Sequence, residues 1–123
     1  MEKKKESILK KKSYKFAVRI VRLSQFLQHE KKEFVLNKQI LQSGTAVGAI
    51  IREAEFAQST ADYVNKFSIA LKEANETDYW LDLLKDTEFI EGKLHESLSN
   101  DCKELISLLV STIKTLKKLK TKN

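Results

Sequence analysis

A chain of 123 residues with no proline and only three glycines, Gly44, Gly48 and Gly92, has little with which to turn corners. A sheet-rich domain of this size needs many tight turns, and those turns draw on glycine, proline and asparagine. A sequence this poor in them makes few, short connections, which points to an all-α protein. The length suits one domain, residues 1–123, able to bury a core of its own.

Two of the glycines fall inside a segment that otherwise reads as helix, Ser43-Gly44-Thr45-Ala46-Val47-Gly48-Ala49-Ile50-Ile51-Arg52-Glu53-Ala54. Glycine in a helix interior costs about 1 kcal/mol relative to alanine. Two of them spaced four apart imply a close backbone approach by another helix. That is a packing signature rather than a catalytic one.

Apolar spacing predicts four helices, near 8–30, 35–57, 60–87 and 95–120, with breaks at 29–33, at 58–60 and around Gly92. The expected architecture is a left-handed, antiparallel, up-down-up-down four-helix bundle, with 1–7 and 121–123 as flexible basic tails. Ser59 or Thr60 is suited to cap the third helix, and Asp62 to sit at the positive end of its dipole. The fourth helix is the most regular. Leu98, Cys102, Leu105, Leu109, Thr112, Leu116 and Leu119 alternate spacings of four and three, the pattern of one continuous core seam. Cys102 lies on that seam as a small core residue.

The first and third helices each carry two apolar stripes. Phe16, Ile20, Leu23 and Leu27 share one face of the first, while Tyr14, Val18 and Val21 lie nearly opposite, flanked by Lys15, Arg19 and Arg22. In the third, Tyr63, Phe67, Ala70, Leu71, Ala74 and Leu81 form the core stripe, and Ile69, Glu73, Glu76, Trp80 and Leu83 form a second. A surface helix of a monomer needs one apolar face. A second face implies burial against something else, and self-association is the simplest occupant. Glu53 falls off the main seam of the second helix, where it is free to bond across helices. Arg52, or a lysine of another copy, is a candidate ion partner for Glu73 and Glu76.

Charge is distributed unevenly. Residues 1–22 hold nine Lys/Arg against Glu2 and Glu6, and residues 111–123 hold five lysines and no acid, whereas residues 59–90 hold three lysines against seven acids. In the expected topology both basic segments meet at one pole. Lys10, Lys11, Lys12, Lys15, Arg19, Arg22, Lys114, Lys117 and Lys118 are therefore candidate phosphate contacts, and Tyr14 or Phe16 could stack on bases. No base-reading motif accompanies them.

Enzymatic chemistry finds little support. A di-metal bundle needs Glu-x-x-His on two helices, but the residues three before His29 and His95 are Phe26 and Gly92. Both histidines fall near helix ends, where a solvated side chain is the plain reading. Gly44 and Gly48 lack the ending of a phosphate loop, and no cofactor or small-molecule substrate is indicated. No apolar run reaches membrane-spanning length. The charged N-terminus lacks a signal-peptide core, and the single Cys102 suits a reducing compartment, so a cytoplasmic location is expected.

The blocks Leu41-Gln42-Ser43-Gly44-Thr45-Ala46-Val47-Gly48-Ala49-Ile50-Ile51-Arg52-Glu53-Ala54 and Phe67-Ser68-Ile69-Ala70-Leu71-Lys72-Glu73-Ala74-Asn75-Glu76-Thr77-Asp78-Tyr79-Trp80-Leu81, with Ala57-x-Ser59 and Asp62-Tyr63 between them, resemble a bacterial family. Its members are four-helix-bundle proteins encoded in intervening sequences of 23S ribosomal RNA genes. The resemblance runs from about Tyr14 to Leu119. It departs at Ile50, where many members carry asparagine, so any polar role of that asparagine does not transfer. The resemblance implies a homopentamer. It also implies kinship with the accessory protein of diversity-generating retroelements, a pentameric barrel associated with nucleic acid and a reverse transcriptase. It implies no enzymatic activity.

Three readings follow. The first is a non-enzymatic oligomeric adaptor binding RNA or DNA through a basic pole. The second is a purely structural or protein-binding assembly. The third, more remote, is a metal-dependent enzyme using Glu73 and Glu76.

Overall fold

The computed structural model describes the backbone of residues 2–122 and the side chains of residues 4–119. Four helices follow one another: α1 (Glu2–His29), α2 (Val35–Glu53), α3 (Thr60–Asp86) and α4 (Gly92–Lys122), with a single 3-10 turn at Ala54–Phe56. Each helix packs against its neighbours in sequence, and α1 also packs against α4, which closes a four-membered bundle. Bonded pairs show the antiparallel register. Along α1 and α4, Lys5 meets Ser111, Lys12 meets Glu104 and Arg19 meets Ser97 and Asp101. Along α3 and α4, Ala74 meets Cys102, Asp78 meets Ser99 and Asp82 meets His95.

The connections explain how the chain turns without proline. Glu33 donates its backbone N–H to the Leu27 carbonyl, and its carboxylate accepts the Asn37 N–H at 2.8 Å, so it caps α2 in place of Phe34, which has no capping group. Lys32 and Glu88 take the left-handed backbone conformation, at φ 53° and 66°, that glycine would ordinarily supply. Gly92, expected in the break before the fourth helix, is instead the first residue of α4. At α3 the expected cap forms: Ser59 Oγ accepts the Asp62 N–H at 3.0 Å, and Asp62 accepts the Gln58 N–H at 3.1 Å. The two hydrogen bonds satisfy donors at the helix start and place a carboxylate at the positive end of the dipole.

The helical ends extend further than expected. Residues 2–7 and 121–122, read from the sequence as tails, continue α1 and α4. Lys5 Nζ donates to Ser111 Oγ, and Tyr63 donates to Glu6, tying the first turns to two other helices. Met1 and Asn123 lie outside the described residues.

The core is the one the periodicity implies. Leu9, Phe16, Ile20, Leu23 and Leu27 meet Ile40, Val47 and Ile51, then Phe67, Ala70, Ala74, Leu81 and Leu84, then the α4 seam from Leu98 to Leu116. Leu119, assigned to that seam, is instead 44% exposed, because α4 runs past the bundle's end there. The glycines admit α1. A Cβ on Gly44 would stand 2.8 Å from two carbons of Ile20, and one on Gly48 would stand 3.3 Å from the Ser13 carbonyl oxygen. Buried hydroxyls are paired: Thr77 Oγ1 lies 2.9 Å from Ser43 Oγ and 2.8 Å from the Glu73 carbonyl.

Candidate functional site

Helix α1 divides its outer surface into two flanks. At 100° per residue, Ala17, Val21 and Tyr14 lie on the side that leans toward α2, and Val18 stands at the corner. Tyr14 is 59% exposed, Val18 39% and Val21 40%. Between α1 and α2 this flank forms an open apolar groove of roughly 460 Å³, floored by Ala17, Gly48 and Ala49 and walled by Tyr14 and Phe56. Small residues make the floor, so Gly48 shapes this surface as well as the helix contact beneath it. The Arg52 guanidinium lies over the Tyr14 ring, 5.9 Å from its centroid.

Toward α4 the same helix is basic. Lys4, Lys11, Lys15 and Arg22 follow spacings of seven, four and seven, which set them in one nearly straight line. All four are exposed. None of them has a carboxylate within ion-pair distance among the described residues. Their neighbours are engaged. Lys10 pairs with Glu55, Lys12 with Glu104 at 3.1 Å, and Arg19 with Asp101 at 2.7 Å. The nine candidate cations therefore divide, and the charge collects along the α1/α4 side rather than only at one pole. Lys114, Lys117 and Lys118 continue it on α4, beside Ser107 and Ser111, in a shallow open depression of roughly 890 Å³. Lys3, Lys120 and Lys122 have side chains outside those described.

The second stripe of α3 is partly exposed. Ile69 is 41% exposed, Glu76 is exposed, and Glu73, Trp80 and Leu83 are half-buried. Trp80 packs edge-on against Tyr79, with ring centroids 5.0 Å apart, and its indole N–H has no partner among the described residues. Burial and the neighbouring Glu76 carboxylate both raise the pKa of Glu73, with Lys72 opposing them. The ion pair foreseen between Arg52 and Glu73 or Glu76 does not form within the chain. Arg52 sits on the α1 side of α2, whereas Glu73 leans toward α2 from the far side. Glu53 does bond across helices, reaching Lys66 of α3 at 3.9 Å.

The reactive groups are arranged for packing. Cys102 is fully buried and donates to the Ala74 carbonyl at 3.1 Å. Burial pushes its thiol up to about 12, far from the thiolate a nucleophile needs. Burial also raises the Tyr63 phenol, reinforced by its bond to Glu6. His29 is exposed, but His95 departs from the solvated reading. Its Nε2 lies 2.7 Å from Asp82 Oδ1, with most of the ring covered. Among the described residues, no three of His, Cys, Asp and Glu are grouped to hold a metal ion. No helix among them is long and apolar enough to cross a membrane.

Reading the sequence missed the exposed aromatics Phe34, Phe56 and Tyr79, which are 60%, 83% and 59% exposed. Phe34 and Phe56 stand next to helix ends, where periodicity gives no direction. Tyr79 follows neither stripe of α3.

With this geometry in place, the comparisons with known proteins are specific. Residues 5–111 match the family described as 23S rRNA-intervening sequence protein. The chain belongs to that family. A crystal structure of a protein of unknown function from Bacteroides thetaiotaomicron, placed in the S23 ribosomal protein family, is 60% identical in sequence. That match covers 89% of this chain and 98% of the other, with a TM-score of 0.88. No curated protein matches the sequence. The relative from Bacteroides thetaiotaomicron shares the fold and is itself described as of unknown function.

Proposed function

We propose that this member of the intervening-sequence family is a non-enzymatic, homo-oligomeric bundle that binds RNA or DNA along its α1/α4 side. The ring size that the family resemblance implies is five. The observation carrying the nucleic-acid reading is the line of Lys4, Lys11, Lys15 and Arg22. Among the described residues these cations have no carboxylate within ion-pair distance, while Lys10, Lys12 and Arg19 beside them do. A straight row of such cations along about five helical turns suits a phosphate backbone, read for charge and not for sequence. Oligomerisation rests on the apolar flank of α1 and the second stripe of α3, which together expose Tyr14, Val18, Val21 and Ile69.

The test is binding to a generic RNA and a generic DNA duplex across a salt series. Affinity should fall linearly on a log–log plot, and a chain carrying Lys11→Gln, Lys15→Gln and Arg22→Gln should show a slope shallower by about 2–3 for the duplex. The same number of changes at Lys10, Lys12 and Arg19 should cost less, because those cations are already neutralised. Undetectable binding at low salt removes the nucleic-acid role and leaves a structural or protein-binding assembly.

A further inference from the structure

Arg52 is an exposed guanidinium at the edge of an apolar groove, with only an aromatic ring beneath it. Among the described residues it has no carboxylate partner. On a different side of the molecule, Glu73 and Glu76 stand three apart in a partly apolar stripe with Ile69 and Trp80, repelling each other. Lys72 is the cation set against them. One surface is concave and floored by small residues, with Arg52 at its rim beside Lys10, which is paired with Glu55, and Glu53, which reaches toward Lys66. The other is convex, aromatic and negative. Neither matches itself, so neither suits a two-fold contact, in which the same patch meets its own copy. They do match each other.

We infer that the α1/α2 groove of one copy receives the outer stripe of α3 from the next copy, with Arg52 of one chain meeting Glu73 and Glu76 of the other. This pairing rests on the homo-oligomer reading and adds to it which faces meet. Such a contact is head-to-tail, and a head-to-tail contact makes either a ring or a filament. The placement of the two faces favours a ring. Both border α2, so they occupy adjacent sides of a four-sided bundle. The arrangement also leaves the α1/α4 side, with its line of cations, on the outer wall of the ring. Assembly and polyanion binding then use different surfaces of α1.

The charge pair gives the test. Particle mass is measured by sedimentation or light scattering for the unaltered chain, for Arg52→Glu, for Glu73→Arg and for the chain with both changes. Circular dichroism follows the fold in each. Each single reversal should weaken association at least tenfold while helix content stays unchanged, and the double exchange should restore the large particle. Mixing the two single variants should also give larger particles than either alone, because each new charge then faces its opposite. This second route holds even where the double variant folds poorly. An unaltered chain that runs as a 14.2 kDa particle at micromolar concentration overturns the oligomer reading itself, and the groove then belongs to another partner. An oligomer of unaltered mass in both single variants sinks only this pairing, because the copies then meet elsewhere. Weakening by the reversals with no recovery in either the exchange or the mixture also counts against it.

Discussion

Helices α3 and α4 are 27 and 31 residues long and lie side by side, yet their surfaces follow different rules. α4 holds one seam, from Leu98 through Cys102, Leu105 and Leu109 to Leu116, and every one of those side chains is buried. Its outer face is mostly polar, with Leu94 and Leu119 exposed near its two ends, and its lysines gather toward its C-terminal end, where they suit its dipole. α3 buries Phe67, Ala70, Ala74, Leu81 and Leu84, but it also turns Ile69 and part of Trp80 outward. It adds Glu73 and Glu76 between them. The four-helix core alone accounts for α4. For α3 it accounts for one stripe, and the remainder is surplus to folding a single copy. Thus the amphipathic pattern of α4 records stability, while the excess pattern of α3 is the surface that the proposed contact between copies would use.

The largest effect should fall on the seam of α4. Leu109→Ala removes a fully buried side chain facing the other helices. It should cost about 2–5 kcal/mol in denaturant unfolding, combining lost transfer energy with the cavity left behind. A cost under about 1 kcal/mol would mean that the seam is not the core. Next comes the contact of α1 with α2. Gly44→Leu places carbon where Ile20 already lies within 2.8 Å, and Ile20 is itself fully enclosed. Overpacking of about 1–3 kcal/mol is expected from the same measurement. Gly48→Leu should cost less, since its Cβ meets the Ser13 carbonyl oxygen at 3.3 Å and the groove offers room beyond. Equal losses at the two positions would argue against the asymmetry.

A smaller effect is expected at Cys102 in alkali. Its thiol is raised from 9.0 to about 12 in the folded chain, so the folded state favours the protonated form more than the unfolded state does. The sign follows: this contribution is complete below the unfolded pKa and is lost as pH climbs from 9.0 toward 12. Denaturant midpoints measured at about pH 8 and about pH 10.5 should fall further for the natural chain than for Cys102→Val. The same burial should leave the thiol unreactive toward alkylating reagents until the chain unfolds. Rapid labelling of folded protein would place Cys102 off the seam.

What was legible in the sequence follows the same division. The seam of α4, the core stripe of α1 and the close approach of some other helix to Gly44 and Gly48 could be read from spacing within each helix, whereas only the fold shows that the approaching helix is α1. The 23S rRNA-intervening sequence family was also readable from its two motif blocks. The turns were less so. Their left-handed positions are Lys32 and Glu88, residues that do not announce φ above zero, and Gly92, which does, begins a helix instead. The cations were counted correctly and placed too simply. Only the folded register shows that Lys10, Lys12 and Arg19 face Glu55, Glu104 and Asp101, leaving Lys11, Lys15 and Arg22 as the unpaired line. His95 and Asp82 are thirteen residues apart on different helices, a pairing that no local spacing predicts.

The smallest change in intrinsic stability should come from Ile69→Ser, and it bears most directly on the contrast between α3 and α4. Ile69 is 41% exposed in the single chain, so its loss should alter unfolding by no more than about 0.5 kcal/mol in dilute protein. At higher concentration the expectation diverges. An assembly that covers Ile69 stabilises the folded chain by mass action, so the melting temperature of the natural protein should rise with concentration. That rise should shrink or vanish in Ile69→Ser, while Leu109→Ala should lower stability at every concentration and keep the rise. If instead both variants lose the same stability at all concentrations, the second stripe of α3 is part of the fold after all. The two helices would then differ in degree, not in purpose.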